Sequence, residues 1–238
     1  MTPLLQAEQV AAGYKGHPFV TGLDLEVNAG EVVALLGHNG AGKTTTLLAL
    51  SGDMAPLGGV VRMFGKPVRS PLHKRARSGL AFVTEERSVF MQLTVAENIR
   101  LGGADVAEVC ELFGELKPML GRQAGKLSGG EQQMLTLGRA LARPTKLLLI
   151  DELSLGLAPL VVERLMQAVR RAADGGLGVL LVEQHVEDAL RYSDRAYVMR
   201  RGEVVLAGAS SEIAGRVREL EEAYLAQSAP ARDGRAAR

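Results

Sequence analysis

The segment Gly37-His38-Asn39-Gly40-Ala41-Gly42-Lys43-Thr44-Thr45 has the spacing G-x-x-x-x-G-K-S/T, which lets a backbone wrap a phosphate. Its glycines allow successive N–H groups to turn toward one point, and a helix starting there adds the positive end of its dipole. Lys43 is then placed to reach terminal phosphates, and Thr44 to offer its hydroxyl to a magnesium ion. Taken alone, the same residues are also compatible with a glycine-rich turn that only starts a helix.

A second constellation follows much later. Leu147-Leu148-Leu149-Ile150 buries a strand and presents Asp151 and Glu152 at its end. Asp151 is suited to hold magnesium through a water molecule, and Glu152, pointing the other way from a strand terminus, is suited to orient an attacking water. Without the glycine-rich segment, two acids capping a strand would be the plainer reading. Together the two motifs favour nucleotide hydrolysis.

These residues need rigid elements to hold them. Glu31 to Leu36 reads as a buried strand, followed by the glycine turn and a helix from Lys43 to Leu50 that stops at Gly52. Lys146 to Ile150 and Gly178 to Val182 read as further buried strands, the latter ending in Glu183, Gln184 and His185. Buried strands with polar chemistry at their carboxyl ends predict a parallel α/β sheet with its site along that edge. Ahead of it, Leu4 to Val10 and Phe19 to Val27 predict short strands broken by Gly13, Gly16 and Pro18. From about Arg87 to Pro144 the strand signal gives way to helical spacing, from Ala107 to Leu116 and from Gln132 to Leu141, which predicts an inserted helical lobe. After Ala196 come a strand, a turn at Arg201 and Gly202, and a second strand. Residues 227–238 are small, polar and charged and read as a frayed tail.

With 28 Lys+Arg against 27 Asp+Glu, the chain has no charge excess of the kind that binds nucleic acid. Hydrophobic residues at 47% and charged ones at 23% are those of a folded globular chain. No apolar run approaches the roughly 18 residues of a membrane span. The start MTPLLQAEQ lacks a basic stretch followed by an apolar one and reads as no secretion signal, and the single cysteine, Cys110, fits a reducing interior.

Leu127-Ser128-Gly129-Gly130-Glu131-Gln132-Gln133 is where the chain resembles the ATP-binding subunits of ABC transporters, whose LSGGQ-like signature it carries. Ser128 can cap the helix that begins there, and the glycines leave N–H groups at its positive end. The resemblance spans roughly Leu4 to Leu225. It implies a P-loop α/β core (residues 1–86 and 145–226) with a mainly parallel sheet, an amino-terminal antiparallel β subdomain and an inserted helical subdomain (residues 87–144). It also implies binding of ATP with Mg2+ and hydrolysis of ATP.

In the family, Ser128, Gly129, Gly130 and Glu131 would close on the nucleotide held by a partner's P-loop. By order and context Tyr14 matches an aromatic that stacks on adenine, although core packing would explain it nearly as well. His185 matches the switch histidine at the terminal phosphate. Ser154-Leu155-Gly156-Leu157-Ala158-Pro159 matches the loop that crosses to the other subunit. Thr84-Glu85-Glu86-Arg87, Leu93-Thr94-Val95-Ala96-Glu97-Asn98, Val182-Glu183-Gln184-His185 and Glu222-Ala223-Tyr224-Leu225 further resemble the branched-chain amino acid importer subgroup.

The resemblance implies transmembrane permease subunits, a second ABC ATPase subunit (the same chain or a sister), and, indirectly, a periplasmic or extracellular substrate-binding protein. It implies no nucleic acid, and a peripheral place on the cytoplasmic side of the membrane. Importers of urea, amides or other amino acids, and a soluble ABC protein, are the alternatives. Val89, Phe90, Met91 and Leu93 are candidates for the permease contact or for ordinary lobe packing. Glu85 stands where most relatives have a glutamine near the magnesium, and is a further candidate for it. Leu153 replaces the usual proline, and Leu157 an aspartate common in the crossing loop.

Overall fold

The computed structural model describes residues 2–86 and 88–216. At the amino terminus the strands run further than their glycines and proline predict. β1 (Leu5–Tyr14) and β2 (His17–Val27) form one antiparallel hairpin. Register shifts between Ala7 and Gly13 absorb the irregularity. Gly13 continues the strand because a Cβ there would sit 2.0 Å from the His17 carbonyl oxygen. Pro18 is tolerated because β2 is an edge strand, where a missing N–H leaves no neighbour unpaired.

The buried runs become the middle of a second sheet. In chain order the remaining elements are β3 (Val32–Leu36), α1 (Lys43–Ser51), β4 (Gly58–Met63), β5 (Lys66–Pro67), α2 (Leu72–Arg77) and β6 (Leu80–Val83). Then come α3 (Val95–Leu101), α4 (Val106–Leu112), α5 (Gly129–Leu141), β7 (Leu147–Asp151), α6 (Pro159–Asp174), β8 (Gly178–Glu183), α7 (Val186–Tyr192), β9 (Arg195–Arg200) and β10 (Glu203–Ala209). One sheet is antiparallel in the order β2-β1-β4-β5. The other has the order β10-β9-β3-β8-β7-β6, parallel except for the β9–β10 pair.

The pleat of the central strands divides the core. Val33, Leu35, Leu147, Leu149, Leu180 and Val182 pack with α1 and the antiparallel sheet. Val32, Ala34, Leu148, Ile150, Val179 and Leu181 pack with α5 and α6 on the opposite face. Alternate residues at the ends of β7 and β8 are thereby committed to opposite sides.

Between β6 and β7 the described residues carry α3, α4, α5 and two short 3₁₀ segments, with one isolated bridge from Thr94 to Gln123. The helical spacing from Ala107 to Leu116 is realised as two pieces. α4 ends at Leu112, and a 3₁₀ turn containing Pro118 follows from Gly114 to Met119. The carboxyl-terminal residues 217–238, with the Glu222–Leu225 match and the 227–238 tail, lie outside the described residues.

Candidate functional site

α1 begins after Gly42, which sits at φ 106 and has no side chain to cap the helix. A Cβ on Gly42 would come within 2.9 Å of Val20 Cγ2, so the loop is pressed against β2 at a φ that glycine alone takes without strain. Gly40 is also left-handed, at φ 78. The turn between β9 and β10 braces this loop. The Gly202 N–H donates to the Ala41 carbonyl at 2.9 Å, and the Thr21 N–H donates to the Gly202 carbonyl at 3.0 Å. Lys43 lies buried under the loop and donates to the carbonyls of Gly37 at 2.7 Å and His38 at 3.3 Å. Its ammonium is thus held where an arriving phosphate can exchange for two neutral carbonyls.

Asp151 ends β7 on the same face as Leu147 and Leu149, toward α1. It is 3% exposed. Burial raises its pKa to about 6, opposed first by a hydrogen bond from the Thr44 hydroxyl, while the charges of Glu152 and Glu85 push it further up. Its Oδ1 is buried and has no hydrogen-bond partner. An orphaned carboxylate oxygen beside a threonine hydroxyl is a donor set that fits magnesium and its waters.

Glu152 departs from the strand alternation expected of it. Its φ is 50, so it leaves β7 in the left-handed region, and its N–H is held by the Val182 carbonyl at 2.9 Å. The side chain turns to the same corner as Asp151, with Oε1 3.7 Å from Lys43 Nζ, instead of pointing away. A non-glycine residue held at positive φ carries strain of about 1–3 kcal/mol, which persists only when the surroundings fix it.

The other expected residues are more dispersed. Tyr14 is 57% exposed at the tip of the first hairpin. Glu85 is exposed after β6, and the Asp151 shift registers its charge. His185 is exposed at the N-cap of α7, and its carbonyl accepts from the Ala189 N–H. Ser128 caps α5 through a reciprocal pair. The Glu131 N–H donates to Ser128 Oγ at 3.3 Å, and the Ser128 N–H donates to Glu131 Oε2 at 2.7 Å. Gly130 packs so closely on α6 that a Cβ would meet Val161 Cγ1 at 2.9 Å. None of the hydrogen bonds or ion pairs described for residues 127–131 involves residues 37–45.

One polar pair beside the site was not singled out from sequence. Glu183, the last residue of β8, is 1% exposed and takes two hydrogen bonds from Ser154, whose N–H donates at 3.0 Å and hydroxyl at 2.7 Å. Burial raises the Glu183 pKa, against the Ser154 hydrogen bonds. The visible signal was a carboxylate closing an otherwise wholly apolar strand.

The cradle, the acidic strand end and the capped glycine helix are matched as a set by a known family. The ABC transporter family model covers residues 20–154. The chain belongs to the ABC transporter family. Over 213 residues it is 40% identical to the high-affinity branched-chain amino acid transport ATP-binding protein BraG of Pseudomonas aeruginosa, a match covering 85% of this chain and 91% of that one. It is 34% identical to the lipopolysaccharide export system ATP-binding protein LptB of Acidithiobacillus ferridurans, over 90% and 93% of the two chains. A solved ATP-binding subunit of an ABC transporter superposes with a TM-score of 0.81 at 27% identity, over 95% of this chain and all of the other. The ABC chain is therefore an ATP-binding subunit of a transporter and an ATPase. None of its described helices is long and apolar enough to cross a membrane.

Proposed function

We propose that this ABC ATPase energises import of branched-chain amino acids. Two ATP-binding subunits close on ATP, hydrolysis reopens them, and the motion passes to permease subunits served by an external substrate-binding protein. The subunit then sits peripherally on the cytoplasmic side. The observation that carries the import reading is the 40% identity to BraG, against 34% to LptB.

In this mechanism Lys43 exchanges the Gly37 and His38 carbonyls for the terminal phosphates, while the N–H groups from Gly37 through Thr45 surround them. Thr44 and Asp151 would hold magnesium, Asp151 through water and with Glu85 nearby; when bound, the ion neutralises phosphate charge. Glu152 orients the attacking water and accepts its proton, held in place by its strained backbone and by Lys43. His185 faces the terminal phosphate and Tyr14 stacks on the adenine. Ser128, Gly129, Gly130 and Glu131 complete the site of the partner subunit.

The test is ATP turnover by the complex reconstituted with its permease subunits and binding protein. Leucine, isoleucine or valine on the binding protein should raise turnover several-fold. Glu152→Gln should cut it by about 10²–10⁴ with nucleotide still bound. Turnover that persists in Glu152→Gln removes the assigned base. Stimulation by urea or amides replaces the cargo. Stimulation by lipopolysaccharide instead would establish export, the second reading, which the match to LptB supports.

A further inference from the structure

We infer that Glu183 is a positioning residue that ties the loop after Glu152 to the strand end before His185, so that both candidate catalytic side chains are set by one buried carboxylate. The inference rests on the ATPase mechanism proposed above and adds a residue to it.

The pleat of β8 places Glu183 on the face of Val179 and Leu181, toward α6. The loop leading from Glu152 into α6 passes there. The ladder between β7 and β8 ends with Asp151 opposite Val182, and the Glu152 N–H extends it by one bond to the Val182 carbonyl. Beyond that point main-chain pairing stops. The Glu183 carboxylate takes over, accepting the Ser154 N–H and the Ser154 hydroxyl. Ser154 in turn folds its own loop, since its carbonyl accepts from the Leu157 N–H at 3.2 Å. Glu152 is thus gripped on both sides, by a main-chain bond at its own N–H and by a side-chain bridge two residues on. The same carboxylate lies two residues before His185.

Cost argues that the bridge is more than packing. A carboxylate 1% exposed is expensive to bury at the end of an otherwise apolar buried strand, with Leu153 1% exposed on the facing loop. An aliphatic side chain would fill it at lower cost but would leave the Ser154 N–H and hydroxyl without an acceptor.

The experiment measures ATP turnover against ATP concentration, with melting temperature, for the full chain in its complex. Glu183→Leu replaces the acceptor with an aliphatic side chain of similar length, whereas Glu183→Gln keeps a hydrogen-bonding pair for Ser154. The expected result is kcat reduced about tenfold or more in Glu183→Leu, KM for ATP within about twofold, and kcat recovered to within about threefold of the parent in Glu183→Gln. Ser154→Ala, a single hydroxyl deletion that spares the fold, should lower kcat in the same direction. The inference is overturned if kcat across the three variants follows melting temperature and not hydrogen bonding, or if Ser154→Ala and Glu183→Leu turn over like the parent. Failure of the proposed mechanism itself would look different, as Glu152→Gln would then retain full turnover.

Discussion

α1 and α5 both begin at glycine-rich turns, and they begin differently. α1 follows Gly42, left-handed and without a capping side chain, so the N–H groups of its first turn stay available. α5 follows Ser128 in a closed capping box with Glu131, which satisfies two of its donors internally and puts a carboxylate at its positive end. Lys43 is buried beside the first corner, whereas Ser128 in the second is exposed. The first corner thus keeps its first-turn N–H groups and a buried ammonium for the phosphates proposed above. The second closes on itself and leaves the Gly129 and Gly130 N–H groups and the Ser128 hydroxyl proton to offer. An arrangement of that kind suits a surface that completes a site on another subunit.

The largest effect that would sharpen this comparison is the cost of burying the Asp151 carboxylate at the first corner. With its pKa raised from 3.8 to about 6, ionised Asp151 opposes folding of the ligand-free chain by up to about 3 kcal/mol, at roughly 1.4 kcal/mol per pH unit. Because the folded value lies above the unfolded one, the folded chain binds the extra proton between about pH 4 and 6. This contribution to stability therefore falls as pH rises through that window and is fully lost above it. Asp151→Asn should raise the melting temperature of the ligand-free chain by about 5 °C or more at pH 7.5, and that advantage should shrink toward pH 4.5. An Asn variant no more stable than the parent at pH 7.5 would mean the corner stores no such cost.

The next effect is on the ligand. Lys43→Met removes an ammonium whose charge-assisted contacts are worth about 1.5–3 kcal/mol, so ATP affinity measured by titration should fall about 10- to 100-fold. Unchanged affinity would dissolve the distinction between the corners by leaving the first without its cation.

How far these contrasts were legible in the sequence depends on the kind of signal. The cradle and Asp151 were readable because apolar runs on both sides fix the register, and alternation then decides the face, as Leu147 and Leu149 do for Asp151. The direction of Glu152 was not readable, because alternation predicts the opposite face and a positive φ in a non-glycine residue has no sequence mark. Nor was the Ser154–Glu183 bridge, which depends on the packing of two segments 29 residues apart. β4, β6 and α6 were not singled out either, although α6 carries a broad apolar face from Val162 to Ala173 against the sheet. The sequence shortens the first hairpin because Gly13 and Pro18 ordinarily mark strand ends. Close backbone approach and an edge position made them compatible with the strands.

The smallest effect is the most discriminating. Ser128→Ala deletes the side-chain half of the capping box, and loss of an N-cap costs about 1 kcal/mol, or roughly 2–4 °C of melting temperature in a chain of this size. The Glu131 carboxylate can still accept the Ala backbone N–H at that position, which keeps the loss from growing further. ATP affinity of the isolated chain should stay within about twofold of the parent, because none of the described contacts of residues 127–131 reaches the Lys43 corner. Turnover of the assembled complex should fall, because the hydroxyl proton is one of the few donors that α5 has left for a partner's phosphate. A drop in ATP affinity in the isolated chain comparable to that of Lys43→Met would mean both corners serve one nucleotide on one chain, and the division of labour between α1 and α5 would be wrong.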